Sequence, residues 1–308
     1  MERRMTKFLF YTDLHLHNVA PRHRKDEYSQ SILEKLAEIY ATGKSRGVDF
    51  VVFGGDFFDV HRMYSYDVIS DAMTTICSSG LETYAIVGQH DLKGYNLDTY
   101  AKSTLAFLER HCQSWHTLWK EHEIGDIVLF PCHANGSIEG TLKKPISSNK
   151  VPVLIAHLLL YDQPSKFSTI STSSVGDNPF ALILSGDLHC GFEAHDINGT
   201  VFCNPGAVAR KATSDNREVK CLIVEVDSAG GVSIESVPLA SAKKYDDVFD
   251  ESFVETVKQT AKMDASGFVS EILELEMDAV DAFELLEKVG KQKGVRKEVL
   301  DLIMAKRT

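Results

Sequence analysis

The chain has no apolar run approaching the ~20 residues needed to cross a bilayer, so no membrane span is expected. Its start, Met1-Glu2-Arg3-Arg4, leads only to a short apolar stretch, Phe8 to Tyr11, and Asp13 interrupts it. That is too little for a secretory signal and reads as a first strand. None of the six cysteines, at 77, 112, 132, 190, 203 and 221, stands in a Cys-x-x-Cys pair. An even count alone does not argue for disulfides in a chain this long, and a reduced, cytoplasmic protein is expected. Basic charge is short as well. Lys and Arg number 33 against 44 Asp and Glu, for a net −11. That argues against a surface coated in nucleic acid. It does not exclude a nuclease, because bound metal ions would change the local field. No internal repeat or low-complexity tract is present.

What is present alternates. Residues 7–12 predict a buried strand. Residues 26–46 predict a helix with Ile32, Leu33, Leu36, Ile39 and Tyr40 on one face and Gly47 past its end. A strand over 48–53, a helix over about 65–79 stopped by Gly80, and a strand over 82–87 follow. This order predicts a parallel sheet covered by helices. After a helix near 98–110 the chain turns strand-rich, at about 126–131, 152–156, 180–185, 200–203, 218–226 and 231–237. Asp227-Ser228-Ala229-Gly230-Gly231 is a hairpin turn signal. From Ala240 the pattern changes to helices over 250–262, 267–289 and 294–306. The division expected is a catalytic domain over 1–240 and a helical appendage over 241–308.

The chemistry lies in loops that follow predicted strands: Asp13-Leu14-His15, Gly54-Gly55-Asp56-Phe57-Phe58-Asp59, Gly88-Gln89-His90-Asp91, His157, and Gly186-Asp187-Leu188-His189. Sites in open α/β sheets form at the carboxyl ends of strands, so these loops can converge. Carboxylates, imidazoles and an amide suit Mn²⁺, Fe²⁺, Zn²⁺ or similar ions. In an extended Asp13-x-His15 both side chains point the same way and can reach one ion. Glycines at 54, 55, 88 and 186 would let the backbone turn sharply beneath. One such motif is weak; the ordered set is strong.

In this order the motifs resemble those of the calcineurin-like metallophosphoesterases, over about residues 7–240. Within that family the chain looks most similar to the SbcD-type DNA repair nucleases and their phage-encoded relatives. Gly55-Asp56-Phe57-Phe58-Asp59-Val60, the helix between the first two motifs and the helical tail carry that similarity. The family's Asn-Pro-Gly element appears as Asn204-Pro205-Gly206.

The resemblance implies an α/β fold: a sandwich of two mixed sheets flanked by helices, with a small C-terminal helical appendage. It implies two divalent ions. Asp13, His15, Asp56 and His189 would hold one; Asp56 would bridge to a second, which also takes Gln89, His157 and Asp187. His90 would be the general acid or transition-state stabiliser, with Asp91 orienting its imidazole. Two departures stand out: Gln89 where the family has Asn, and Asp187 where it has His. Three aspartates leave such a site near +1, which favours Mn²⁺ or Mg²⁺ over Fe²⁺ or Zn²⁺. Both changes touch the second ion and read as a matched adjustment; the alternative is a second ion that binds only with substrate.

Other residues carry paired readings. His17 touches phosphate or is a plain loop residue; His61 lies at the cleft edge or is structural. Arg22 and Arg24, in Arg22-His23-Arg24-Lys25, grip a nucleic-acid backbone or form a solvated loop, and Arg210-Lys211 is a similar case. Tyr64 and Tyr66 could stack bases, whereas Phe57 and Phe58 suit the core. The apolar tail packs on the catalytic domain, meets a coiled-coil ATPase of the SMC type as in SbcD-like proteins, or both; a homodimer is also open. The leading function is hydrolysis of DNA phosphodiesters. The alternatives are a phosphatase or phosphodiesterase for small molecules or phosphoproteins, and a non-catalytic scaffold.

Overall fold

Short apolar runs become strands buried on both faces. The computed structural model describes residues 5–21, 24–163, 170–175 and 177–250. In chain order the strands are β1 (Thr6–Tyr11), β2 (Phe50–Phe53), β3 (Thr83–Ala85), β4 (Trp115–Thr117), β5 (His122–Ile124), β6 (Ile127–Cys132), β7 (Val151–Leu158), β8 (Leu182–Asp187), β9 (Phe192–Ile197), β10 (Thr200–Asn204), β11 (Lys220–Val226) and β12 (Val232–Pro238). The helices are α1 (Tyr28–Arg46), α2 (Tyr66–Ser79), α3 (Thr104–His111), α4 (Ile138–Leu142) and α5 (Tyr245–Val248).

The strands form two six-stranded mixed sheets, in the orders β12-β11-β1-β2-β3-β4 and β5-β6-β7-β8-β10-β9. β1 to β4 run parallel, with Phe8 opposite Phe50 and Val51 opposite Thr83. β6, β7, β8 and β10 are parallel in the other sheet. Alternation along each strand builds three layers of core. Phe8, Phe10, Phe50 and Val52 meet Val153, Ile155, Leu182 and Leu184 between the sheets. Leu9, Tyr11, Val51 and Phe53 turn instead toward the buried faces of α1, α2 and α3. Leu154, Ala156 and Ile183 pack on the outer side of the second sheet with Ile138 of α4. A fully buried side chain of this size contributes roughly 2–3 kcal/mol, so both sheets are well anchored.

The helix stops are where the glycines are. Gly47 and Gly80 end α1 and α2 in the left-handed region, at φ 63° and 74°. The helix expected near 98–110 is divided. A 3₁₀ segment, Leu97–Lys102, gives way to α3 at Ser103, whose hydroxyl accepts from the N–H of Ala106. Cys77 and Cys112 form a disulfide between α2 and the end of α3. This differs from the expected reduced set; a separation of 35 residues hides a contact that only packing creates. Residues up to Asp250 belong to the first of two compact units. The helices expected beyond it fall outside the described residues. Among the described residues no helix is long and apolar enough to cross a membrane.

Candidate metal centre

The loops after β1 and β2 are laced to each other by their backbones. Asp13 N–H donates to the Gly55 carbonyl at 3.0 Å, His15 N–H to Asp56 at 3.0 Å and Leu16 N–H to Phe57 at 2.8 Å. The Asn204-Pro205-Gly206 turn braces them from behind, and just past it Val208 and Ala209 donate to the carbonyls of Thr12 and Asp13. This lacing holds four site residues in the left-handed region: Asp13 at φ 54°, His15 at 45°, Asp56 at 58° and Asp187 at 71°. Such conformations cost free energy and persist only where surroundings impose them, which marks the loops as functional. The glycines act mainly by making room. A Cβ on Gly88 would lie 2.1 Å from Asp56 Oδ1, and one on Gly186 would lie 2.2 Å from Thr12 Oγ1. Of the four glycines expected to turn the backbone, Gly55 has the positive φ, 103°.

The side chains converge. His15 Nε2 and His189 Nε2 face each other at 3.0 Å. Asp13 Oδ1 is 3.7 Å from each of those two nitrogens. Asp56 Oδ2 lies 3.7 Å from His15 Nε2 and 3.4 Å from His157 Nε2. His157 donates its Nδ1–H to the Gly54 carbonyl at 2.7 Å, which leaves Nε2 as the nitrogen turned toward Asp56. Asp13, His15, Asp56 and His157 are fully buried, while His189 and His90 keep about 30% and 33% of their side chains exposed. Gln89 and Asp187 lie beside this cluster and bond to each other, with Gln89 Nε2 donating to Asp187 Oδ1 at 2.5 Å. The two departures from the family pattern are thus direct partners.

Asp56 Oδ2 and His157 Nε2 are buried without a hydrogen-bond partner. Buried polar atoms without partners are costly, and two of them meeting at one spot fit a cation. The triads Asp13, His15, His189 and Asp13, Asp56, His157 each gather ligand atoms within 4.8 Å and have Asp13 in common, so the donors fit two neighbouring ions. The electrostatics agree. Burial alone would raise the Asp13 pKa, but His15, His157 and His189 outweigh it and hold it below the usual carboxylate range. Burial opposes charge on His15 and His157. The carboxylates overcome it and push the two up to about 9 and about 10. Protons therefore stand in for cations among these acids, and metal must displace them.

Two assigned roles change. Asp91 does not orient His90. It is buried, and its carboxylate accepts from the backbone N–H groups of Asp56, Phe57, Phe58 and Gly88 at 3.0–3.2 Å. His90 instead donates Nδ1–H to the Asp59 carbonyl at 2.9 Å, and its backbone N–H donates to Asp56 Oδ1 at 2.7 Å. Arg24 and Arg210 do not reach for substrate. Both are buried: Arg24 bonds to Asp26 and to the Arg210 carbonyl, and Arg210 to the Lys243 carbonyl. Arg22 lies outside the described residues. His17 is on the surface, where Nδ1 accepts from the N–H of Val19. His61 lines a cavity with Arg62 and Lys93, beyond the centre.

Asp59 and Lys211 are the residues that sequence reading passed over. Asp59 accepts from His15 Nδ1 at 3.0 Å and pairs with the Lys211 ammonium. Burial would raise its pKa, but His15 and Lys211 outweigh that and hold it low. The second aspartate of Gly-Asp-x-x-Asp was its signal. Lys211 had only its place beside Arg210.

A model of the calcineurin-like phosphoesterase family matches residues 6–191. No curated protein matches the chain in sequence. A solved protein of Thermus thermophilus, TT1561, is similar at 11% identity, over 76% of this chain and 99% of that one, with a TM-score of 0.49. A dimetal phosphatase from Danio rerio is similar at 12% identity, over 77% and 99%, with a TM-score of 0.47.

Proposed function

The chain belongs to the calcineurin-like phosphoesterase family, and from that premise we propose that it is a Mn²⁺-dependent phosphodiesterase that hydrolyses DNA. The reading rests on one observation above others. A fully buried floor of carboxylates and imidazoles opens to the surface through His90, His189 and Lys211. A phosphate within a polymer can approach such a centre from above, without a chain end having to enter a closed pocket.

The ions held by Asp13, His15, Asp56, Gln89, His157, Asp187 and His189 would polarise the phosphoryl oxygens and activate water as nucleophile. The chain's own groups do the rest. His90 keeps Nδ1–H on the Asp59 carbonyl, so its Nε2 is the nitrogen left to face substrate. Protonated there, it donates to the leaving oxygen as the P–O bond breaks. Asp59 fixes the His15 ring through Nδ1, leaving Nε2 as the ligand atom. Lys211 offsets the charge of Asp59 at the mouth. A coiled-coil ATPase partner belongs to the same proposal; the tail that would meet it lies outside the described residues.

The test compares wild type and His90→Ala on single- and double-stranded DNA in Mn²⁺. Wild type should cut, and the variant should lose roughly 10²–10⁴-fold. Full activity in the variant would remove His90 from its role. Hydrolysis of bis-p-nitrophenyl phosphate with no cleavage of DNA would move the function to small diesters.

A further inference from the structure

The segment after Asp59 leads from the centre to a second surface. Asp59 accepts from His90 through its carbonyl. Two residues on, the His61 carbonyl accepts from Thr104 N–H at 2.8 Å, and Met63 N–H donates to Thr104 Oγ1 at 2.8 Å. Two residues of extended chain span at most ~7 Å, so this surface begins beside the centre.

It opens as a cavity of about 280 Å³ lined by His61, Arg62, Lys93, Thr99 and Lys102. A second cavity of about 290 Å³ shares Arg62 and Lys102 and adds Tyr64, Tyr66 and Phe107. Arg62 is exposed and donates Nε–H to the Lys102 carbonyl at 3.0 Å. Among the described residues, no ion pair joins Arg62, Lys93 or Lys102 to a carboxylate. Three unspent cations in one groove are unusual for a chain of net −11. Beside them Tyr64 and Tyr66 are 72% and 73% exposed, and Phe107 is 41% exposed. Large aromatics left in water mark contact surfaces.

We propose that this groove, from His61 past Lys93 and Lys102 to Tyr64, Tyr66 and Phe107, binds single-stranded DNA next to the metal centre. The cations follow phosphates and the aromatic rings stack on bases, a combination that needs unpaired bases and no particular sequence. Paired bases offer no free face to a tyrosine, which separates this occupant from duplex DNA. The use of the groove rests on the DNA reading above; its occupancy is tested without catalysis.

The experiment measures anisotropy of a fluorescein-labelled oligothymidylate with the full chain in EDTA, where nothing is cut. Tyr64→Ala and Tyr66→Ala should each weaken binding about tenfold. Lys93→Gln and Lys102→Gln should each lower the slope of log affinity against log salt by about 0.7. Unchanged melting temperatures show that these surface variants fold. The groove is overturned if wild type does not bind, if the variants bind as wild type does, or if an equal length of duplex competes as well as the single strand. If the variants keep their affinity while wild type cuts DNA in Mn²⁺, the groove fails and the nuclease reading stands. If binding depends on the groove and no DNA is cut, the groove stands and the nuclease reading fails.

Discussion

Four backbone N–H groups point at one buried carboxylate, that of Asp91, and removing it would leave them all without a partner. Each orphaned donor costs ~1–3 kcal/mol, less whatever water recovers, so Asp91→Ala should lose on the order of 3 kcal/mol in urea unfolding. A variant as stable as wild type but inactive would return Asp91 to a catalytic role. Asp59 is the contrasting case. Asp59→Asn keeps the size of the side chain but weakens the grip on the His15 ring, so Mn²⁺ affinity by calorimetry should fall about 10–100-fold. Unaltered affinity would separate Asp59 from the centre. Most of the residues that meet at the centre were legible in the sequence, because residue type and a place after a strand bring them together. The division of labour between Asp59 and Asp91 was not. It depends on loop backbones at φ values that no spacing reveals, such as 58° at Asp56.

At the scale of elements, α1 carries a cost that pH should expose. Lys35 is buried among Arg24, Arg210 and Arg217, with Asp26 the compensating acid. Burial first, and then these guanidiniums, push its pKa down from 10.5 to about 7. The unfolded chain therefore holds a proton that the folded chain has given up between those two values. Stability from this group rises as pH climbs from about 7 to 10.5, and the full penalty is present below 7. Lys35→Met should be more stable than wild type at pH 6.5, with the gap much narrower at pH 9.5; a constant gap would mean that Lys35 does not titrate there. The same element shows which secondary structure sequence can reveal. α1, with its buried Ile32, Leu36 and Ile39 and its Gly47 stop, follows the periodicity closely. β4, β5 and β9 were missed. Trp115–Thr117 and His122–Ile124 are too short to show a period, and Phe192–Ile197 is a half-exposed edge rich in polar residues. They are strands because a neighbour offers hydrogen bonds, which is information from elsewhere in the chain.

Across the whole molecule, the metal centre is where the two sheets are tied. Asp13, His15 and Asp56 follow β1 and β2 of one sheet; His157, Asp187 and His189 come from the ends of β7 and β8 in the other. Without cations, the carboxylates at this junction are balanced by protons on His15 and His157, whose pKa values they raise. Ions bound by both sets would join the sheets directly, and any ligand specific to the folded state stabilises it by mass action. Mn²⁺ at a hundredfold excess over its dissociation constant should add about 2.7 kcal/mol per site, and EDTA should remove it. His157→Ala takes away a ligand contributed by the second sheet, so it should lose about half of the Mn²⁺-dependent rise in melting temperature while keeping affinity at Asp13, His15 and His189. If Mn²⁺ stabilises that variant as fully as wild type, His157 is not a ligand, and the tie between the sheets rests on Asp187 and His189 from the end of β8.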